Sequence, residues 1–72
     1  MEFDEILNQL NRIKDNGDLV FIKLDGEREK DHITVIISSP VHKQKEQIRL
    51  DGEDLMKLLA SAVKQYFSSY DV

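Results

Sequence analysis

The sequence predicts an α+β fold with the element order α-β-β-β-α, and three observations predict it. Apolar residues recur at helical spacing near the start of the chain, and again over a longer stretch near its end. Between these stretches lie three short runs rich in β-branched and aromatic residues, separated by turn residues. Because 72 residues can enclose one modest core, we assign residues 1–72 to a single domain.

An amphipathic stripe predicts the first helix, whose other side carries charged and amide side chains. The members of the stripe are Phe3, Ile6, Leu7, Leu10 and Ile13. Asp15-Asn16-Gly17 ends the helix, because these residue types tolerate a positive φ. The predicted helix therefore has about three turns.

Three strands are predicted, over Leu19 to Leu24, Ile33 to Ser38 and Glu46 to Leu50. Asp25-Gly26 after the first strand is a typical start of a hairpin turn. Ser39-Pro40 ends the second strand, since proline has no N–H to donate to a neighbouring strand. Consecutive strands of this kind favour a three-stranded antiparallel meander.

The last helix is predicted to follow Leu50-Asp51-Gly52-Glu53, a tetrapeptide that repeats Leu24–Glu27. We predict Asp51 as the N-cap of this helix, with Glu53 and Asp54 placing negative charge at the positive end of the helix dipole. The helix is supported by an apolar stripe over about four turns. Its members are Leu55, Leu58, Leu59, Ala62, Val63, Tyr66, Phe67 and Tyr70.

Both helical stripes must be covered, and the simplest arrangement packs both helices on one face of the sheet. Strand alternation assigns one set of residues to that face. The set comprises Val20, Ile22, Leu24, Ile33, Val35, Ile37, Ile48 and Leu50. Leu19, Phe21 and Ile36 fall on the opposite face, where no helix is left to cover them. We predict that these three residues contact a protein partner or a second copy.

The composition indicates a small acidic globular protein, with 40% hydrophobic and 33% charged residues and a net charge of −4. The acidic balance argues against direct binding to nucleic acid or to anionic membranes, and is compatible with a protein partner that presents a basic surface. Cysteine is absent, and no apolar run approaches the roughly 20 residues of a membrane span. The first ten residues are acidic where a signal peptide would be basic. We therefore expect a soluble, cytoplasmic protein without a membrane partner.

The residue types that carry catalysis or bind metals form no suitable pattern. The serines fall at a strand end or on the exposed side of the last helix. His32 and His42 flank the second strand, so the extended chain between them separates them by roughly 30 Å. We predict that the protein is not an enzyme and has no catalytic, metal-binding or cofactor-binding residues.

The α-β-β-β-α order is similar to that of double-stranded-RNA-binding domains, and His32 falls near that family's loop between the first two strands. Those domains place a lysine cluster at the start of the last helix, where it meets phosphates. The matching segment here is Asp51–Asp54, whose carboxylates repel phosphates. A degenerate domain of this family is one alternative.

Four segments resemble small acidic αβββα anti-CRISPR proteins from phages, and together they cover nearly the whole chain. They are FDEILNQLNRIK, VFIKLDGE, HITVIIS and EDLMKLLASAVKQYF. The resemblance implies a non-enzymatic inhibitor that occupies the DNA-binding surface of an RNA-guided nuclease. Two features depart from the best-known member: SSPVHKQK is neutral to basic where its turn is acidic, and its acidic segment after the last helix has no counterpart. The first hairpin loop is therefore the region to which inhibitory residues can be carried over.

That loop, DGEREKDH from Asp25 to His32, has ionisable side chains at all positions except Gly26. One interpretation is a solvated turn. The other is an acidic finger that competes for a basic nucleic-acid-binding groove on a host protein. The carboxylates of the finger are Asp25, Glu27, Glu29 and Asp31. The predicted function is a small protein-binding module of the inhibitor type, with a bacterial homodimer whose sheet face serves assembly as the alternative.

Overall fold

The computed structural model describes residues 2–40 and 46–70, which form two helices and one three-stranded sheet. The elements are α1 (Phe3–Asp15), β1 (Leu19–Leu24), β2 (Ile33–Ser38), β3 (Ile48–Gly52) and α2 (Leu55–Tyr70). The strands lie in the order β1-β2-β3, and both neighbouring pairs are antiparallel. The predicted α+β class, element order and antiparallel meander are confirmed.

α1 ends in a hydrogen-bonded turn that leads directly into β1. Gly17 has a φ of 85°, and its N–H donates to the carbonyl of Lys14 at 2.9 Å. The N–H of Asp18 donates to the carbonyl of Ile13 at 3.2 Å. These two bonds form a Schellman cap, which satisfies carbonyl groups of the last helical turn. Glycine suits the position because it adopts a positive φ without steric cost.

The core lies between the middle strand and the two helices. Its buried apolar residues are Ile6, Ile13, Val35, Ile37, Leu59, Ala62, Val63 and Tyr66. Because α1, α2 and one face of β2 all contribute to this cluster, both helices pack on the same face of the sheet, as predicted. α2 lies against β2 and β3, whereas α1 lies against β1 and α2. Each large side chain buried in this way contributes about 1.5–3 kcal/mol to folding.

The junction between β3 and α2 differs from the prediction. β3 extends to Gly52, so Asp51 is a strand residue and not the N-cap of the helix. Asp54 takes that role, because its Oδ1 accepts a hydrogen bond from the backbone N–H of Lys57 at 3.2 Å. Asp51 is instead paired with Thr34 of β2, whose hydroxyl donates to its Oδ1 at 2.5 Å. This cross-strand bond stabilises Asp51 in the extended conformation.

The helix-facing side of β1 is less covered than predicted. Ile22 pairs with Val35 and Leu24 pairs with Ile33, so both point to the helix side, as the alternation indicated. The side chains nevertheless remain exposed, at 45% for Ile22 and 68% for Leu24. Alternation specifies the face to which a residue points, but it does not specify whether a helix lies above it. The two helices leave the last residues of β1 uncovered.

Candidate interaction surface at strand β1

Most of the large apolar side chains that remain exposed lie on α1 and β1. They are Phe3, Leu7, Leu19, Phe21, Ile22 and Leu24, and Met56 of α2 is the one described residue of this kind elsewhere. Apolar side chains grouped on one part of a surface are characteristic of interaction sites. β1 holds four of them, so this strand is the centre of the candidate surface.

The open face of the sheet, opposite to the helices, has an apolar end. Phe21 pairs directly with Ile36, and Leu19 lies two residues before Phe21 on the same face. Leu19 and Phe21 are about half exposed, and Ile36 is half-buried between Phe21 and Arg49. These three residues, called the apolar patch below, are neighbours, as predicted. Their role in binding stays a prediction.

The same open face has a charged end centred on Asp51. The hydroxyl of Thr34 donates to Oδ1 of Asp51, and the Nε atom of Arg49 lies 3.4 Å from Oδ2 of Asp51. Arg28 in the β1–β2 loop also reaches Asp51, with Nη1 at 3.5 Å from Oδ1. The Thr34 hydrogen bond is the main reason that the pKa of Asp51 is lowered, and the arginines lower it further. The Arg28 contact draws the loop towards the sheet.

Asp25, the first carboxylate of the predicted acidic finger, is engaged in shaping the turn. Its Oδ1 accepts a hydrogen bond from the backbone N–H of Glu27 at 3.0 Å. The Nζ atom of Lys23 lies 3.6 Å from its Oδ2. The bond from Glu27 is the largest cause that lowers the pKa of Asp25, and Lys23 adds to it. Asp25 therefore acts as a turn residue whose negative charge is partly offset by the ammonium group of Lys23.

The other three carboxylates of the loop are placed differently. Glu27 and Glu29 are exposed, whereas Asp31 is half-buried and has a φ of 54°. This left-handed conformation is uncommon for residues other than glycine, although aspartate adopts it more readily than most. Within the described residues, none of the three forms an ion pair. The loop thus presents three available carboxylates next to the uncovered end of β1.

The free edge of β1 carries apolar residues. The N–H of Asp25 donates to the carbonyl of His32 at 2.7 Å, in the same register as the β1–β2 pairing. In an antiparallel pair, residues that exchange hydrogen bonds alternate with residues whose backbone groups point away. The even-numbered residues of β1, Val20, Ile22 and Leu24, therefore direct their N–H and C=O groups to the free edge.

The free edge of β3 carries charged residues instead. The backbone groups of the even-numbered residues of β2 form hydrogen bonds with β1. Those of the odd-numbered residues of β2 therefore form hydrogen bonds with β3. The backbone groups of Arg49 and Asp51 consequently point outward from β3. Charged residues and short strands are features by which proteins prevent an edge from pairing with another chain. β3 has the first of these features at its outward positions.

A chain of hydrogen bonds centred on the buried Tyr66 joins the turn before β1 to α2. The hydroxyl of Tyr66 donates to Oδ2 of Asp18 at 2.5 Å and accepts a bond from Nδ2 of Asn16 at 3.0 Å. Asp18 and Tyr66 are both buried. Sequence reasoning placed Tyr66 in an apolar stripe and missed this contact. The tyrosine hydroxyl was the available signal, because a buried hydroxyl requires a hydrogen-bond partner.

His32 lies on the surface between β1 and β2, and His42 lies outside the described residues. Across residues 2–40 and 46–70, no three side chains of the His, Cys, Asp or Glu type are grouped to hold a metal ion. No helix in the same ranges is both long and apolar enough to cross a bilayer. The chain matches no protein-family model, no curated protein and no solved structure.

Proposed function

We propose that the protein is a non-enzymatic protein-binding module that contacts its partner through β1 and the loop that follows. The observation that carries the proposal is the exposure of β1: Leu19, Phe21, Ile22 and Leu24 are each between 45% and 68% exposed. Removing apolar surface from water stabilises by about 25 cal/mol per Å². A partner that covers this strand therefore gains binding free energy from side chains that the fold leaves in water.

The chemistry of the surface indicates the chemistry of its partner. Ile22 and Leu24 at the uncovered end of β1 offer a centre that can be desolvated, and the loop carboxylates that follow offer a charged border, which is the usual anatomy of a protein interface. Glu27 and Glu29 are exposed, and Asp31 lies beside them. A complementary partner presents an apolar contact bordered by lysine or arginine side chains.

A finer form of the proposal is that the module inhibits a host protein by occupying a basic nucleic-acid-binding surface. The resemblance to acidic anti-CRISPR proteins, the net charge of −4 and the three loop carboxylates support it. Arg28 is paired with Asp51 of β3 and not with a loop carboxylate, so Lys30 is the remaining cation of the loop. Such a negative field accelerates association with a positively charged surface.

The roles of the buried polar groups support binding rather than catalysis. Asp18 and Thr34 are the buried polar residues of the described chain. Asp18 accepts a hydrogen bond from Tyr66, and Thr34 donates one to Asp51. Both bonds join elements of the fold, whereas catalytic groups are typically aimed into a cleft. The module accordingly acts by contact.

The alternative is a homodimer whose exposed sheet face serves assembly. The apolar patch favours it, because Leu19 and Phe21 are about half exposed on the open face and a second copy that covers them would remove them from water.

Affinity capture with the full chain, repeated at increasing salt concentration, tests the proposed function. The loop variant combines Glu27→Lys, Glu29→Lys and Asp31→Asn, the last chosen because asparagine tolerates a positive φ. We expect weaker capture of the partner and a shallower salt dependence, because screening acts on the removed charges. Unfolding free energy should change by less than about 0.5 kcal/mol, since exposed loop charges contribute little.

The matched control reverses Glu53 and Asp54 to lysine at the start of α2. This control should lower the melting temperature through the lost cap and helix-dipole interactions, and it should leave capture unchanged. Phe21→Lys should abolish capture without unfolding, because Phe21 points to the open face. If the loop variant captures the same partner at the same salt concentration, the loop is only a turn and the charge-based proposal is wrong.

A further inference from the structure

We infer that two copies of the chain pair through the free edges of β1 and form a continuous six-stranded sheet around a two-fold axis. The inference goes beyond the proposed function, because its occupant is a second copy of the chain and its main contact is the backbone edge of β1. Dimers of identical chains are mostly two-fold symmetric, with the same surface contributed by both copies. An antiparallel pair of edge strands satisfies this symmetry with the axis perpendicular to the sheet.

The outward backbone groups select one register. With the axis perpendicular to the sheet, the helices of both copies lie on the same side of the six-stranded sheet. Each residue therefore pairs with a residue whose side chain points to the same side. Bonded pairs must also join the outward-pointing residues. Pairing Ile22 with Ile22 of the second copy, and Val20 with Leu24 of the second copy, uses every outward residue of β1. A shift of two residues in either direction leaves at least one of these residues without a β1 partner.

The helix-facing side chains complement one another in this register. Leu24, at the uncovered end of β1, comes to lie beside Val20 of the second copy. Val20 packs against the core beneath the helices. The covered start of one strand is thereby placed next to the uncovered end of the other. α1 is the helix that lies against β1, so the two α1 helices are the ones nearest the axis.

The open-face side chains are also compatible with the register. Lys23 lies opposite Phe21 of the second copy, where an ammonium group and an aromatic ring attract one another. Shifting the register by two residues in one direction would instead place Lys23 opposite Lys23, and like charges directly opposite are destabilising. The charge on Lys23 therefore disfavours that shifted register, and the proposed pairing brings the two apolar patches to either side of the axis.

The two edges of the sheet allow a matched test by sedimentation or light scattering. Ile22→Pro removes an outward N–H at the middle of β1, and Arg49→Pro removes an outward N–H in β3. Neither removes a hydrogen bond between the strands of one copy, because both N–H groups point away from β2. We expect a dimer for the native chain and for Arg49→Pro. For Ile22→Pro we expect a dissociation constant raised at least about 100-fold, since proline removes donors from the central pair.

Cross-linking between single introduced cysteines tests the register directly, since the native chain contains no cysteine. Phe21 and Lys23 of the second copy form a pair without hydrogen bonds, with Cα atoms about 4.5 Å apart. This distance permits a disulfide, whereas two residues at the same position, Phe21 or Lys23, would be separated by about 8 Å. We therefore expect a covalent dimer on oxidation of a mixture of Phe21→Cys and Lys23→Cys, and little from either variant alone.

Each outcome is decisive for the inference. Cross-linking of Phe21→Cys alone or Lys23→Cys alone would show a different register and overturn the one proposed. A native chain that stays monomeric, or a dimer that survives Ile22→Pro and yields no cross-link, would overturn pairing through β1. The loop variant described above should remain dimeric. Loss of partner capture in that variant is therefore distinguishable from a failure of edge pairing.

Discussion

The two edge strands of this sheet have opposite chemistry although they flank the same middle strand. β3 presents Arg49 and Asp51 at its outward positions, and α2 packs across it. β1 presents Val20, Ile22 and Leu24 at its outward positions and is exposed over most of its length. Edge strands are usually protected by charge, by shortness or by a covering element. β3 is protected by charge and by the packing of α2, whereas in β1 Lys23 is the one charged residue.

The difference indicates which part of the molecule is available for interaction. Strands that are apolar on both faces are typical of sheets that are covered on both faces. In β1, Leu19 and Phe21 point to the open face, while Ile22 and Leu24 point to the helix face, and all four are exposed. β1 thus has the composition of a covered strand at an exposed position. A partner that covers β1 resolves this mismatch.

The largest expected effect compares two isoleucines on the same face of the sheet. Ile37 in β2 is 2% exposed, whereas Ile22 in β1 is 45% exposed. Ile37→Ala should lower the free energy of unfolding by about 2–5 kcal/mol, because it leaves a cavity in the core. Ile22→Ala should lower it by about 1 kcal/mol or less in the monomer. Urea denaturation at low protein concentration measures both, and equal losses would contradict the contrast between the strands.

A smaller effect is expected where β1 is tied to the covered side of the molecule. Tyr66→Phe removes the hydroxyl that donates to Asp18 and should lower the free energy of unfolding by about 1–3 kcal/mol. Asn16→Ala removes the longer hydrogen bond, which Asn16 donates to the Tyr66 hydroxyl, and should lower the free energy of unfolding by about 0.5–1.5 kcal/mol. The double variant should lose less than the sum, because both changes act on one network. Strict additivity in denaturation experiments would show that the two bonds are independent.

The smallest effect concerns the charged end of the open face. Thr34→Val removes the main cause of the lowered pKa of Asp51, so that pKa should rise towards its ordinary value. Since a lowered pKa contributes stability that is present at neutral pH and lost as the pH falls through the folded value, the variant should lose less stability on acidification. The pKa of Asp25 should not change, because the main cause of its lowering is the hydrogen bond from the backbone N–H of Glu27. Carboxylate titration by NMR measures both groups in one sample, and a shift at Asp25 alone would contradict this assignment.

Much of the fold could be predicted because its local patterns are unambiguous. The bounds of β1 and β2 agree with their runs of β-branched and aromatic residues. Gly17 marks the end of α1, where a positive φ is required. The sequence predicts β3 two residues too early, from Glu46 to Leu50 where the structure has Ile48–Gly52, because Asp51 is a good N-cap by residue type. Its partner in the fold is Thr34, which no local pattern indicates.

The candidate site was predictable in part for a similar reason. Alternation correctly grouped Leu19, Phe21 and Ile36 on the open face. It could not show that Ile22 and Leu24 lack a covering helix, because coverage depends on how the helices cross the sheet. The engagement of Asp25 in its turn also depends on backbone geometry. The apolar and charged characters of the two edges likewise emerge only from the hydrogen-bonding register.

Amide hydrogen exchange, measured by NMR over a range of protein concentrations, tests the central claim most directly. The claim is that the edge of β1 is an interface and the edge of β3 is not. The amides of Val20, Ile22 and Leu24 should be protected at high concentration and lose protection on dilution, whereas those of Arg49 and Asp51 should exchange rapidly throughout. If the three β1 amides exchange as fast as the two β3 amides at the highest concentration, β1 is an unpaired edge and the claim is contradicted.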